Sequence, residues 1–126
     1  MPKYFVLIGA VGGFLAVALG AFGAHALKSR LDSYYLDVWS TAVDYQMYHS
    51  LAMLLVAILL MKWPGTALLN TAAYAFCAGI VIFSGSLYLL CLTGTKWLGA
   101  ITPIGGVAFL VGWACLALAT FRQSSS

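Results

Sequence analysis

Charge is what this sequence lacks. Asp, Glu, Lys and Arg make up 7% of its 126 residues, where a soluble domain carries about 25%. Six basic and three acidic side chains cannot coat a water-exposed globule of this size. The basic residues are also scattered, as Lys3, Lys28, Arg30, Lys62, Lys96 and Arg122. They form no patch, so nucleic-acid binding is poorly supported. Cysteine is sparse: Cys77, Cys91 and Cys115 lie in apolar stretches without a Cys-x-x-Cys pair, which reads as small packing residues rather than a disulfide or metal set. Catalytic signatures are missing as well. Ser84-Gly85-Ser86 has no Gly-x-Ser-x-Gly elbow. Gly105-Gly106 follows Pro103 without a Gly-Lys-Ser/Thr sequence, which suggests a kink or close helix contact, not a phosphate loop.

What is present is hydrophobic: 63% of the chain. A bilayer core of about 30 Å needs roughly 20 apolar residues per helix, and four such helices with short connections use nearly the whole chain. The expected fold is an all-α membrane bundle of about four transmembrane helices in one domain, residues 1–126, with spans near 4–26, 45–61, 67–92 and 98–121. Lys3 and Ala24-His25-Ala26 imitate a secretory signal. The uncharged run from Tyr4 to Leu27 exceeds the h-region of about 7–15 residues, so it is read as an uncleaved first span. Lys28 to Asp44 is the one strongly polar segment. Asp32 or Ser33 suits a helix cap, and Tyr35, Trp39 and Ala42 then fall at helical spacing, predicting a short interfacial helix before the second span. Lys62-Trp63 marks a membrane boundary, Pro64-Gly65 a turn, and Thr93 to Trp97 a short antiparallel connection.

Small residues form stripes. Gly12, Ala16, Gly20 and Ala24 recur every four residues, Gly9-x-x-x-Gly13 adds a short second row, and Ala108, Gly112, Cys115 and Ala119 line the last span. In lipid such rows let helices approach closely, within the chain's own bundle or in a homo-oligomer. Gly12, Ala16, Gly20, Ala24, Gly105, Gly106 and Gly112 are the expected helix-packing positions.

Polar residues gather in one half. With spans of that length, His25 ends the first; Asp44, Tyr45, Gln46, His49 and Ser50 open the second; Ser84, Ser86 and Tyr88 lie late in the third; Thr102 opens the fourth. All face the side opposite the termini. An ionisable residue at membrane depth is a functional hypothesis by default, and histidine titrates near neutral pH. Tyr45 and His49 share one helix face, Asp44 and Tyr48 the neighbouring one, and His25 is in reach of His49 if the first two helices pair. The candidate cluster is therefore His25, Asp44, Tyr45, Gln46, His49, Ser84, Ser86, Tyr88 and Thr102. It reads either as hydrogen bonds that lock helices together or as a proton or small-ion site. Two histidines without ligand spacing are a weak metal signal; no metal, cofactor or catalytic residue is expected.

Four motifs carry a resemblance. Gly20-Ala21-Phe22-Gly23-Ala24-His25-Ala26-Leu27, Thr41 to Ser50, Phe83-Ser84-Gly85-Ser86-Leu87-Tyr88 and Thr102-Pro103-Ile104-Gly105-Gly106 resemble, in order and over nearly the whole chain, a small bacterial inner-membrane family known as domain of unknown function 423. Animal transmembrane protein 256 is similar in kind. The resemblance implies about four membrane helices and implies no activity. The expectation is then a small multi-pass protein of a bacterial inner membrane, structural or accessory in role and not an enzyme, whose partners are the bilayer and either itself or a larger membrane complex. The alternative is an oligomeric proton or small-ion transporter using His25, His49 and Asp44. Lys and Arg count three on each side of the membrane, and the Met1 amine tips the termini toward the cytoplasm.

Overall fold

The computed structural model describes residues 2–123; the Met1 amine and the three final serines lie outside them. Helix α1 spans Pro2–His25 and α2 spans Ser33–Lys62. Helix α3, Ala67–Gly79, passes through a π-helical turn, Ile80–Ser84, into α4, Gly85–Thr93. A 3-10 segment, Lys96–Ala100, leads into α5, Thr102–Arg122. Among the described residues four segments are long and apolar enough to cross a membrane: Pro2–His25, Ser33–Lys62, Ala67–Thr93 and Lys96–Arg122. The chain is an all-α membrane bundle.

Lateral order follows from which faces are small. Helix α2 and the α3–α4 span form the middle of the bundle. Helix α1 packs on α2, and α5 on α3 and the π turn. The α1–α2 contact runs antiparallel along Gly9, Gly12, Gly20 and Gly23, which meet Ser50, Leu54, Val43 and Trp39. Ala16 is fully buried between them, whereas Ala24 is exposed. On the other side Gly79 meets Phe109, Gly105 meets the backbone of Phe83, and Gly112 meets Phe76. Gly106 is free of close contact, the nearest atom to a Cβ there being Phe83 Cδ2 at 3.9 Å. Toward the Lys62 end the core is wholly apolar: Met53, Val56, Ala57, Leu69, Ala72, Ala73, Phe76 and Leu116 fill it.

One expectation is corrected. Among the described residues no separate interfacial helix precedes the second span. Asp32 caps the helix, its carboxylate accepting from the Tyr35 amide at 3.0 Å, and the helix continues without a break to Lys62. At 1.5 Å per residue α2 is about 45 Å long, more than the roughly 30 Å hydrocarbon core, so its polar first turns stand in the headgroup zone. The third span runs where its hydropathy places it, Ala67–Thr93, with the π turn at Ile80–Ser84 inside it.

Candidate functional site

His49 lies near the middle of α2, 16 residues from Ser33 and 13 from Lys62, about 24 and 20 Å from the helix ends. Gln46 and Ser50 lie within a turn of it. All three are buried, so each needs a partner inside the bundle.

His49 has two. The indole Nε1–H of Trp113 on α5 donates to its Nε2 at 3.0 Å. An indole nitrogen can only donate, so Nε2 carries no proton. The proton is then on Nδ1, which donates to the Tyr45 carbonyl at 2.7 Å. The ring stacks on Phe109 at 3.6 Å between centroids and 12° between planes, with Phe76 and Tyr45 at 5.5 and 6.0 Å. This imidazole is neutral, saturated and enclosed by aromatic faces.

A second connection joins three helices. Gln46 Nε2 donates to the Gly12 carbonyl of α1 at 2.8 Å, and its Oε1 accepts from the Tyr88 hydroxyl of α4 at 2.6 Å. Ser84, fully buried in the π turn, donates to the Ala42 carbonyl of α2 at 2.7 Å. Ser86 and Thr102 share a hydrogen bond at 2.6 Å, tying α4 to the start of α5. Among the described residues Ser50 Oγ is buried without a conventional partner. A Cβ at Gly12 would collide with it, so a Gly12 Cα–H is directed at this oxygen, a weak contact.

Of the nine predicted cluster residues, Gln46 and Tyr88 meet directly, as do Ser86 and Thr102; Ser84 and His49 bond to other partners. Tyr45 contributes its carbonyl and a ring stacked on Phe83 at 4.7 Å. Asp44 and His25 stay outside, both exposed. The expected approach of His25 to His49 is not made. The α1–α2 register pairs Gly20 with Val43 and Gly23 with Trp39, so His49 is level with Gly13 and His25 lies about 18 Å further along. Among the described residues no group of three or more His, Cys, Asp or Glu side chains could hold a metal ion.

Sequence reasoning missed Trp113 and Phe109, and it placed Trp39 on an interfacial helix and not inside the bundle. Trp39 is buried and donates from Nε1 to the Leu19 carbonyl at 2.8 Å. An aromatic residue within an apolar run carries no positional signal unless its polar edge is considered: a buried indole N–H needs an acceptor. That rule, applied to Trp113 on α5, points to a polar acceptor across the bundle.

Residues 19–106 match the model of a family described as a protein of unknown function, DUF423. The UPF0382 membrane protein YwdK of Bacillus subtilis is 48% identical over 120 residues, covering 95% of this chain and 98% of its own. A UPF0382 membrane protein of Staphylococcus aureus is 48% identical over 122 residues, 95% and 97% of the two chains. One of Staphylococcus haemolyticus is 44% identical over 122 residues, with the same coverage. No solved structure matches the chain.

Proposed function

This chain belongs to the DUF423 family of proteins of unknown function, and from that premise we propose that it is a structural or accessory protein of the bacterial inner membrane. It acts through its helix surfaces, with itself or with a larger membrane complex, and carries out no catalytic step. The observation that supports this is His49. A proton relay needs partners that both take up and pass on a proton, and His49 bonds only to the Trp113 indole, which donates, and the Tyr45 backbone carbonyl, which accepts. The serine hydroxyls are occupied likewise: Ser84 bonds to Ala42, and Ser86 to Thr102 and the Phe83 carbonyl. The named relatives are bacterial membrane proteins, which supports a place in a bacterial membrane. For orientation, Lys3, Lys62 and Arg122 stand at one end and Lys28, Arg30 and Lys96 at the other, three against three by the count that governs topology, and we keep the termini in the cytoplasm on the amine of Met1.

Proton flux into proteoliposomes tests the proposal. Wild type and a His25→Ala/His49→Ala variant should both match empty liposomes, while mild-detergent extracts retain a self-associated or partner-bound species. Flux above empty liposomes in the wild type, lost in the variant, would overturn it in favour of an oligomeric transporter.

A further inference from the structure

Three cations meet at the end of the bundle that holds the Lys62 turn, and antiparallel register sets their levels. Along α1 and α2, Gly9 meets Leu54, Gly12 meets Ser50 and Gly20 meets Val43. The same spacing carried to the helix ends brings Lys3 level with Leu60, two residues short of Lys62. Along α3 and α5, Gly105 meets Phe83 and Gly112 meets Phe76, so Arg122 is level with Thr66, the residue that caps α3. Helices α2 and α3 form the middle of the bundle and are joined by Trp63 to Thr66. Lys3 on α1 and Arg122 on α5 therefore flank this turn, with Lys62 between them. All three side chains are exposed.

No acidic side chain balances them. The three that the chain has, Asp32, Asp37 and Asp44, all belong to the opposite end. The nearest along α2 is Asp44, 18 residues from Lys62, about 27 Å on a continuous helix. Charges in physiological salt are screened over about 8 Å, so no aspartate weakens the field around Lys62. The opposite end has as many cations, Lys28, Arg30 and Lys96, but the three carboxylates are there too. Acidic residues count little in membrane topology, but they count fully in Coulomb attraction.

Aromatic rings fix the depth of the unbalanced cations. Lys3 Nζ stands 5.4 Å from the ring centre of Tyr4, and Lys62 Nζ 5.5 Å from that of Trp63. Tyrosine and tryptophan settle where headgroups meet hydrocarbon, and a cation over the ring face is attracted to it. Just inside this level the outer faces are apolar, with Leu7, Ile58, Met61 and Leu118 exposed. A neighbour here meets positive charge on the outside and hydrocarbon within.

We infer that this end gathers phospholipids of net negative headgroup, as in phosphatidylglycerol. The phosphate lies among Lys3, Lys62 and Arg122, and the acyl chains lie along the apolar faces beneath. A zwitterionic headgroup also brings a phosphate, but its ammonium or choline adds a cation where no aspartate is present to receive it.

Lipid retention by the purified full-length chain tests this, with phosphatidylglycerol, phosphatidylethanolamine and phosphatidylcholine of identical acyl chains, counted by native mass spectrometry. Wild type should prefer phosphatidylglycerol over both zwitterions. Lys3→Gln, Lys62→Gln and Arg122→Gln should each lower that preference about fivefold, the worth of one near-surface cation. Lys28→Gln and Lys96→Gln, at the balanced end, should leave it unchanged. Extraction at raised salt should erase it in wild type, a readout that depends on no variant folding. Equal retention of the three lipids overturns the inference. So does phosphatidylethanolamine held as well as phosphatidylglycerol, an equal loss from Lys28→Gln and Lys62→Gln, or a preference indifferent to salt. Inorganic phosphate at the concentration of the lipid should displace nothing, and displacement would make this end a soluble-anion site instead.

Discussion

Trp113 donates its indole N–H to His49 Nε2 at 3.0 Å across 64 residues of chain, and this bond decides the protonation of the one buried histidine. Trp113→Phe keeps the aromatic body and deletes the donor, leaving Nε2 without a partner inside the bundle. Hydrogen bonds between membrane helices average about 0.6 kcal/mol, and an orphaned buried acceptor costs about 1–3 kcal/mol. The expected loss is about 1 kcal/mol, read as a shift of the unfolding midpoint in detergent. In wild type, nitrogen NMR should find the His49 proton on Nδ1. A proton on Nε2 would contradict the arrangement.

Gly105 and Gly106 are neighbours with opposite surroundings. A Cβ at Gly105 would fall on the backbone nitrogen of Phe83, which no rotamer change can move aside, whereas the nearest atom at Gly106 is 3.9 Å away. Gly105→Ala should therefore cost about 1–3 kcal/mol through overpacking. Gly106→Ala should be neutral or slightly stabilising, because alanine gives up less backbone freedom in a helix. Paired thermal melts of the two variants check this, and similar losses in both would contradict the close approach of α5 to the π turn.

Ser50 and Gly12 should be coupled. Gly12→Ala drives a methyl group into Ser50 Oγ and should loosen α1 from α2. Ser50→Gly removes the obstacle, and Ser50 Oγ has no conventional bond to lose. The pair Gly12→Ala/Ser50→Gly should recover most of the stability that Gly12→Ala loses, a coupling within the 0.5–3 kcal/mol span seen for residues in contact. Additive losses in a double-mutant cycle would mean that the collision is relieved elsewhere.

These cases mark where the sequence was legible. Hydropathy located the spans because lipid leaves the charged residues at their ends, and Asp32 was readable as a cap because a short carboxylate before a periodic run satisfies free amides. The continuity of the second helix was not legible. Lys28 to Asp44 is polar enough to resemble a surface element, and hydropathy cannot distinguish a helix that rises out of the membrane from one that bends along it. The separation of His25 from His49 depends on the register of α1 against α2, which hydropathy does not carry either. The π turn left no mark, since Ile80 to Phe83 are apolar residues compatible with any helix. The glycine stripe was legible as close contact, but which neighbour each glycine meets depends on register, as Gly105 and Gly106 illustrate.

The Gln46–Tyr88 bond offers a test in which two wrongs should nearly cancel. Gln46 Nε2 donates to Gly12, and its Oε1 accepts from the Tyr88 hydroxyl at 2.6 Å. Tyr88→Phe strands the Oε1; Gln46→Leu strands the Tyr88 hydroxyl. The Gly12 carbonyl is stranded in neither case, because it remains within the helical ladder of α1. Each single change therefore leaves one buried polar atom without a partner, at about 1–3 kcal/mol, whereas replacing both partners by apolar groups leaves none. The double variant should be more stable than the sum of the two losses, with a coupling of about 0.6–1.7 kcal/mol by the measure of membrane helix pairs. Gln46→Leu should also speed hydrogen exchange in α1, the outer helix whose hold on α2 it weakens, more than Tyr88→Phe does. If the losses simply add and α1 exchanges equally in both, Gln46 does not bridge α1, α2 and α4.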